Sequence, residues 1–207
     1  MSQFQTEQEQ FWAGNFGDEY TNRNIGENII ASNTALFSKI LSRTEKVNSV
    51  IEFGANRGLN LQAIRNLLPL VKLEAIEINE NAVKLLEKIG NIKIYNQSIL
   101  DFIPEEKVDF VLIKGVLIHI NPDFLPQVYD LLYNSCNKYL CISEYYNPTP
   151  VEINYRGHSK KLFKRDFAGE ILDRFADFKL IDYGFVYHRD NQFKQDDTTW
   201  FLLEKIR

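Results

Sequence analysis

The chain has 207 residues, enough for one domain with a buried core, and its 44% apolar and 25% charged residues are those of an ordinary globular protein. A formal charge of −4 and a pI near 5.5 exclude a basic face broad enough to cover nucleic-acid backbone. The most apolar run, FVLIKGVLIHI, is short and interrupted by Lys114, which excludes it as a membrane span.

The N-terminal stretch MSQFQTEQEQFW is polar and has no signal-peptide apolar run, so the expected setting is the cytoplasm. The first 45 residues read as helices, with a short amphipathic turn over 6–14 and a longer helix over 26–43. They are expected to form a cap over an active site in the core that follows, residues 46–207, the whole being one compact body. From residue 47 the pattern alternates. Strands are expected at 47–53, 71–78, 91–99, 107–115 and 138–146, with helices at 58–69, 79–90, 122–136 and 164–175 between or after them. Two final strands, 178–187 and 198–206, are joined by too few residues for a parallel crossover and must be antiparallel. The reading is an α/β fold with a mainly parallel sheet, an antiparallel last strand and helices on both faces. The residues that follow strand five, up to His158, are read as a loop.

Cys136 and Cys141 are separated by four residues and have no second pair, so they read as reduced thiols and no metal is expected. The segment RGHSKKLFKR, 156–165, gathers six basic residues when His158 is counted, and reads as a solvated face or a small-anion site.

Chemistry concentrates at the turn EFGANRGLN, which follows the first core strand. In open α/β sheets, ligands sit at the carboxyl ends of the strands. Gly54 and Gly58 allow close backbone approach there, with Ala55, Asn56 and Asn60 in the same turn and helix start. The spacing is not G-x-G-x-x-G, so a dinucleotide pyrophosphate fits poorly. Glu52 before the turn is placed to bind a cationic amine or to hold loop N–H groups. Glu77 ends the second strand, where an acid takes the hydroxyls of a ribose. Ile78 can lie on an adenine face, Ser98 and Ile99 on its edge, and Lys114 and Gly115 open the loop after strand four. An acid before the turn and another after strand two point together to a nucleoside that also carries an amine, such as S-adenosylmethionine. The rivals are an oxidoreductase that binds NAD or a nucleotide sugar, and a non-catalytic protein of the same fold that binds the cofactor without turnover. Adenine-N6 and glutamine-N5 methyltransferases usually carry Asn/Asp-Pro-Pro-Tyr/Phe after strand four; here Lys114-Gly115-Val116-Leu117 stands instead, which with the acidic charge argues against a nucleic-acid or protein-amide target.

The turn VIEFGANRGLN resembles the glycine motif of class I S-adenosylmethionine-dependent methyltransferases, and KGVLIHINPDFL is similar to their segment after strand four, with His119 at its histidine position. Asn56 departs from that motif, which often has a third glycine there. Over EQFWAGNFGDEYTNRN, YYNPTPVEINYRGH, LFKRDFAG and DDTTWFLLEK the chain further resembles the methylases associated with pseudaminic acid biosynthesis. The resemblance implies the Rossmann-like class I methyltransferase fold with a seven-stranded sheet, and methylation of a nonulosonic acid sugar, its precursor or its nucleotide-linked form. S-adenosylhomocysteine would be the product. Trp12, Tyr20, Arg23 and Asn24 from the N-terminal segment are expected to face Tyr145, Tyr146, Asn147, Tyr155 and Arg156, because rings pack on sugar C–H faces and Arg pairs with a carboxylate. Phe16 belongs to the same set, and for Trp12 and Phe16 a hydrophobic lid packed on the domain is an equal alternative. Methyl transfer to oxygen is favoured, with His119, then His158 and Glu144, as candidate bases. His188 reads as a loop residue. The oligomeric state is left open.

Overall fold

The computed structural model describes residues 4–206; the first three residues of the polar N-terminal stretch, and residue 207, lie outside the described residues. Contacts divide the chain into two compact units, Met1–Phe102 and Ile103–Arg207.

The first unit opens with α1 (Glu7–Ala13), α2 (Asn15–Arg23) and α3 (Glu27–Leu41). Thr6 and Glu9 form the capping box of α1: the Thr6 hydroxyl accepts from the Glu9 amide, and the Glu9 carboxylate accepts from the Thr6 amide at 2.7 Å. The strands are β1 (Ser49–Phe53), β2 (Lys72–Glu77) and β3 (Ile92–Asn96), paired in parallel in the order β3-β2-β1. Between them lie α4 (Leu59–Leu67) and α5 (Glu80–Leu86). Val50, Ile51, Phe53, Ile64, Ile76 and Leu86 are buried together with Phe37 and Ile40 of α3, so burial of apolar faces holds this unit. α5 begins where expected, on the Asn79 side chain, which accepts from the Ala82 amide; the chain leaves it by a short 3-10 turn ending at Gly90, φ 70°.

The second unit contains β4 (Val108–Lys114), a wholly apolar-lined buried strand apart from Asp109 and Lys114, and β5 (Cys136–Glu144), parallel to it. A 3-10 turn at Leu117–His119 and α6 (Leu125–Ser135) connect them. After β5 come β6 (Val151–Tyr155), β7 (His158–Lys164), α7 (Phe167–Arg174), β8 (Phe178–Val186) and β9 (Thr198–Lys205). β9 runs antiparallel to both β5 and β8. The seven strands of the main sheet follow the order β3-β2-β1-β4-β5-β9-β8, the mainly parallel sheet with one antiparallel strand that the sequence leads one to expect.

One expectation needs correction. Lys164, expected to open a helix, ends β7, and the segment read as loop up to residue 158 holds β6 and the start of β7, an antiparallel hairpin over 151–164 that forms a separate two-stranded sheet. Its two-residue connection, Arg156 and Gly157, has φ of 52° and 87°, the left-handed pair that matches strand twist. The Asn154 side chain accepts from the Gly157 amide at 3.0 Å and stabilises the turn. An Arg in place of the usual Asn at the first position, and solvent on both sides of β6, hid the hairpin; the alternation Val151, Ile153, Tyr155 before Arg-Gly was its one readable sign. A second helix, α2, also follows α1 where only one short amphipathic segment was assigned.

Both cysteines lie in β5 and are not disulfide-linked; burial pushes each thiol up to about 12, which leaves them unreactive. Among the described residues no helix is long and apolar enough to cross a membrane, and no group of three His, Cys, Asp or Glu side chains is arranged to hold a metal.

Candidate active site

In the first unit the glycine turn is held in its shape by its own backbone amides and by Glu77. Gly54, Asn56 and Gly58 have φ of 73°, 48° and 75°. Left-handed backbone suits glycine and, next best, Asn, so Asn56 does the work of the missing third glycine. Its amide donates to Glu77 Oε2 at 2.7 Å and its Oδ1 accepts from the Thr21 hydroxyl at 2.8 Å. Glu77 Oε1 accepts from the Asn79 amide, also at 2.7 Å. One buried carboxylate therefore ties the turn after β1 to the turn after β2. Burial raises the Glu77 pKa and the amides of Asn79, Asn56 and Ile78 oppose the rise, the burial being the larger effect.

Glu52 is fully buried, and Oε1 accepts from Asn60 Nδ2 at 2.6 Å. The partner is thus a side-chain amide in the first turn of α4. Asn60 Oδ1 is buried without a hydrogen-bond partner among the described residues. Ala55 is buried beneath the turn, and its amide joins that of Gly54 on the Ile76 carbonyl. The Ser98 hydroxyl donates to Glu9 Oε1 and accepts from the Leu100 amide at 3.1 Å; Ile99 begins the 3-10 turn that follows. Ile78, Gln97, Ser98, Gly14 and Asp18 line a cavity of about 670 Å³.

The N-terminal helices thus hydrogen-bond to each turn of this unit that the sequence singled out. Thr21 holds Asn56, Glu9 holds Ser98, and Asn79 Nδ2 donates to Asp18 Oδ1 at 2.8 Å and to the Trp12 carbonyl at 3.3 Å. Glu9, Asp18 and Thr21 were missed in the sequence. The Thr6–Glu9 spacing announces a helix cap, but nothing local announces a partner 89 residues away. Trp12, Phe16 and Tyr20 form an edge-to-face cluster with centroids 5.4 and 5.2 Å from Trp12. Arg23 lies over Phe16 and pairs with Glu19 at 3.6 Å, while Asn24 Nδ2 donates to the Tyr20 carbonyl.

In the second unit the candidates gather around the segment after β4. Gly115, φ 68°, donates its amide to the Ser143 carbonyl. Glu144 Oε1 accepts from the Val116 and Leu117 amides, each at 2.9 Å, while Oε2 is buried with no hydrogen-bond partner among the described residues. His119 is buried; its Nδ1 meets the Lys161 carbonyl of β7 at 2.5 Å, and its ring lies 5.0 Å from that of Tyr155. A carbonyl only accepts, so Nδ1 carries the hydrogen. Burial pushes the His119 pKa down to about 4, leaving the ring neutral. On the hairpin, Arg156 lies over Tyr155, and Lys164 lies over Tyr145. Tyr146 forms a bridge to Arg165, and Asn147 Nδ2 donates to the Thr149 carbonyl in its own turn. His158 is exposed at the start of β7, opposite Tyr155. His188 is exposed too and pairs with Asp197 at 2.8 Å.

Glu144 carries a pH prediction. Burial pushes its carboxyl up to about 7, against the opposing amides of Val116, Leu117 and Ile118 and the charge of Lys114. A pKa raised in the folded state means stability that is full below the ordinary carboxyl value and lost as pH rises through about 7. Glu144→Gln keeps a carbonyl for both amides and removes the ionisation. Denaturation across this range should show the variant gaining on the wild type with rising pH, approaching roughly 3 kcal/mol above neutrality. A constant gap between the two proteins would mean that Glu144 ionises at no cost.

No protein-family model matches the sequence, and no curated protein matches it. Solved structures match its fold. The plantazolicin methyltransferase BpumL, in complex with a pentazolic desmethylPZN analog and SAH, superposes with a TM-score of 0.67 at 16% identity, over 96% of this chain and 95% of that one. The 1,6-didemethyltoxoflavin-N1-methyltransferase of Burkholderia thailandensis, with 1,6-didemethyltoxoflavin and S-adenosylhomocysteine bound, also gives 0.67, at 15% identity over 93% and 85%. For the glycopeptide N-methyltransferase MtfA complexed with (S)-adenosyl-L-methionine the values are 0.62 and 13%, over 84% and 94%. At such identities the shared property is the architecture: this chain has the Rossmann-like class I methyltransferase fold.

Proposed function

We propose that this protein is an S-adenosylmethionine-dependent methyltransferase whose acceptor is a small anionic sugar, a nonulosonic acid of the pseudaminic type, its precursor or its nucleotide-linked form, methylated on oxygen. The observation that carries the reading is Glu77 in a class I methyltransferase fold, a buried carboxylate that braces the glycine turn and still has lone pairs for ribose hydroxyls. Asn60 Oδ1, buried and without a partner among the described residues beside the Glu52 carboxylate, fits an ammonium donor. Glu52 and Asn60 would hold the aminoacyl end, Glu77 the ribose, and Ile78, Ser98 and Ile99 the base. Lys114 and Gly115 stand in the corresponding loop after β4. Bound there, the cofactor supplies an electrophilic methyl group on sulfur, and the protein supplies orientation. The product is S-adenosylhomocysteine.

The anionic acceptor is supported by the hairpin. Residues 151–165 hold Arg156, Lys160, Lys161, Lys164 and Arg165 against a single acid, Glu152, in a chain of net charge −4. Cations stacked on Tyr145 and Tyr155 join a carboxylate-binding group to a ring that packs on a sugar face. Trp12, Tyr20, Arg23 and Asn24 are assigned to the acceptor on the same chemistry. The pseudaminic type rests on the sequence resemblance.

Titration calorimetry with S-adenosylhomocysteine and with NAD tests the cofactor. Heat with the first and none with the second is expected; the reverse result would establish a nicotinamide enzyme instead. Labelled methyl transfer to free and nucleotide-linked pseudaminic acid tests the acceptor. Cofactor binding without transfer to any sugar acid would point to a binding protein without turnover.

A further inference from the structure

The segment Val116–His119 follows β4, and two residues of the second unit hold it from different sides. Glu144, at the end of β5, takes two of its amides with one carboxylate oxygen. Lys161, on the hairpin, takes the His119 Nδ1–H with its carbonyl. These two anchors leave very different groups for proton chemistry. His119 is fixed as the neutral tautomer with its basic lone pair on Nε2, in surroundings that disfavour the imidazolium it would become as a base. Glu144 is 2% exposed, and its second oxygen has no hydrogen-bond partner among the described residues. A buried carboxylate oxygen needs a donor. The anchored oxygen fixes the side chain and leaves the other without a donor among the described residues.

We infer that Glu144, and not His119, takes the proton from the acceptor hydroxyl, while His119 is a positioning residue that pins the 116–119 segment to the hairpin. This rests on the methyltransferase reading and names the base within it. The acceptor O–H bond breaks and its proton passes to Glu144 Oε2. The freed oxygen pair forms the O–CH3 bond, and the electron pair of the broken S–CH3 bond stays on the departing thioether sulfur. Burial gives Glu144 an affinity for the proton matched to neutral pH, the condition under which a general base is most effective. Lys114, at the end of β4, is the cation whose charge acts on it, and it stabilises the ionised form from which the reaction starts.

Full-length wild type and Glu144→Gln test this with three readings. Calorimetry with S-adenosylhomocysteine should give the same affinity for both. Methyl transfer from S-adenosylmethionine to free and nucleotide-linked pseudaminic acid, followed over about pH 5 to 9, should lose about 10²-fold or more in kcat with little change in KM. The rise of rate toward neutral pH should vanish with it, a change that a merely structural role would not produce. Carbon-13 spectra of glutamate-labelled protein should show a carboxyl that titrates near neutrality in the wild type and is missing from the variant, whether or not an acceptor is turned over. A Glu144 carboxyl with no titration over that range, or a variant with the wild-type rate and pH profile, overturns the assignment. Wild type that fails to bind S-adenosylhomocysteine removes the methyltransferase reading itself, a separate result. His119→Ala, losing its tie to Lys161, should raise KM more than it lowers kcat; a loss confined to kcat, with the neutral-pH limb gone, would return the proton to His119.

Discussion

Glu77→Ala is expected to lower both the stability of the fold and its affinity for S-adenosylhomocysteine. The carboxylate accepts two hydrogen bonds of 2.7 Å from the Asn56 and Asn79 amides, and it is 7% exposed. Truncation leaves both amides without their acceptor in a site that water reaches poorly. At about 1–3 kcal/mol for each of the two stranded donors, the loss should be about 2–6 kcal/mol. One effect opposes it: burial penalises the charge of Glu77, and alanine relieves that penalty. The relief does not win, because alanine removes the acceptor along with the charge. Affinity should fall by about tenfold to a hundredfold, since the amide of Asn56 and the start of α5 lose their common brace and the ribose loses the acid proposed to hold it. Glu77→Gln separates the contributions. Its single carbonyl serves one amide, while its NH2 group confronts the other N–H, so glutamine should be nearly as damaging as alanine. Chemical denaturation and calorimetry on both variants check this. An Ala variant that binds S-adenosylhomocysteine as the wild type does would remove Glu77 from the cofactor site.

The same residue shows what a sequence discloses and what it does not. An acid at the end of β2 is visible as a pattern, because strand period and chain direction place it at the sheet's carboxyl edge. Its hydrogen bond to the turn 21 residues earlier is not visible, because it depends on how two βα connections are packed. Asn56 was legible in one respect: a residue tolerant of left-handed backbone stands where the turn requires φ of 48°. That Thr21 grips its side chain was not. The strands β1, β4 and β9 were readable as buried apolar runs with few alternatives. The hairpin β6–β7 was not, since residues 151–154 and 158–160 are exposed and carry no buried face to impose a period. Sequence pattern reports burial, so it is clearest in the core and weakest where polar side chains meet across long separations, which is where the candidate site is built.

Gly17→Ala should be the most damaging single methyl group in the N-terminal segment. A Cβ at Gly17 would stand 1.8 Å from the Trp12 carbonyl oxygen and 2.9 Å from Asn79 Nδ2. The first is backbone at the corner between α1 and α2, which no rotamer change can clear. The helices must separate, and the cost should be about 2–4 kcal/mol of local stability. The damage has a direction. Trp12 O and Asp18 Oδ1 are the two acceptors of Asn79 Nδ2, so parting α1 from α2 releases Asn79, whose own amide is held by Glu77. The N-terminal helices would thereby loosen their hold on the loops assigned to the cofactor, while Asn79 keeps its cap on α5 through Oδ1. Hydrogen exchange should speed up over residues 4–24, trypsin should cut more readily at the half-exposed Arg23, and S-adenosylhomocysteine affinity should drop, with exchange in β4, β5 and β9 unchanged. Gly14→Ala is the control. Its Cβ would meet the Gln10 carbonyl at 3.1 Å, a contact that a few tenths of an ångström relieves. If the two variants exchange and bind alike, the corner does not transmit to Asn79, and the N-terminal helices are packing for the fold rather than support for its ligand loops.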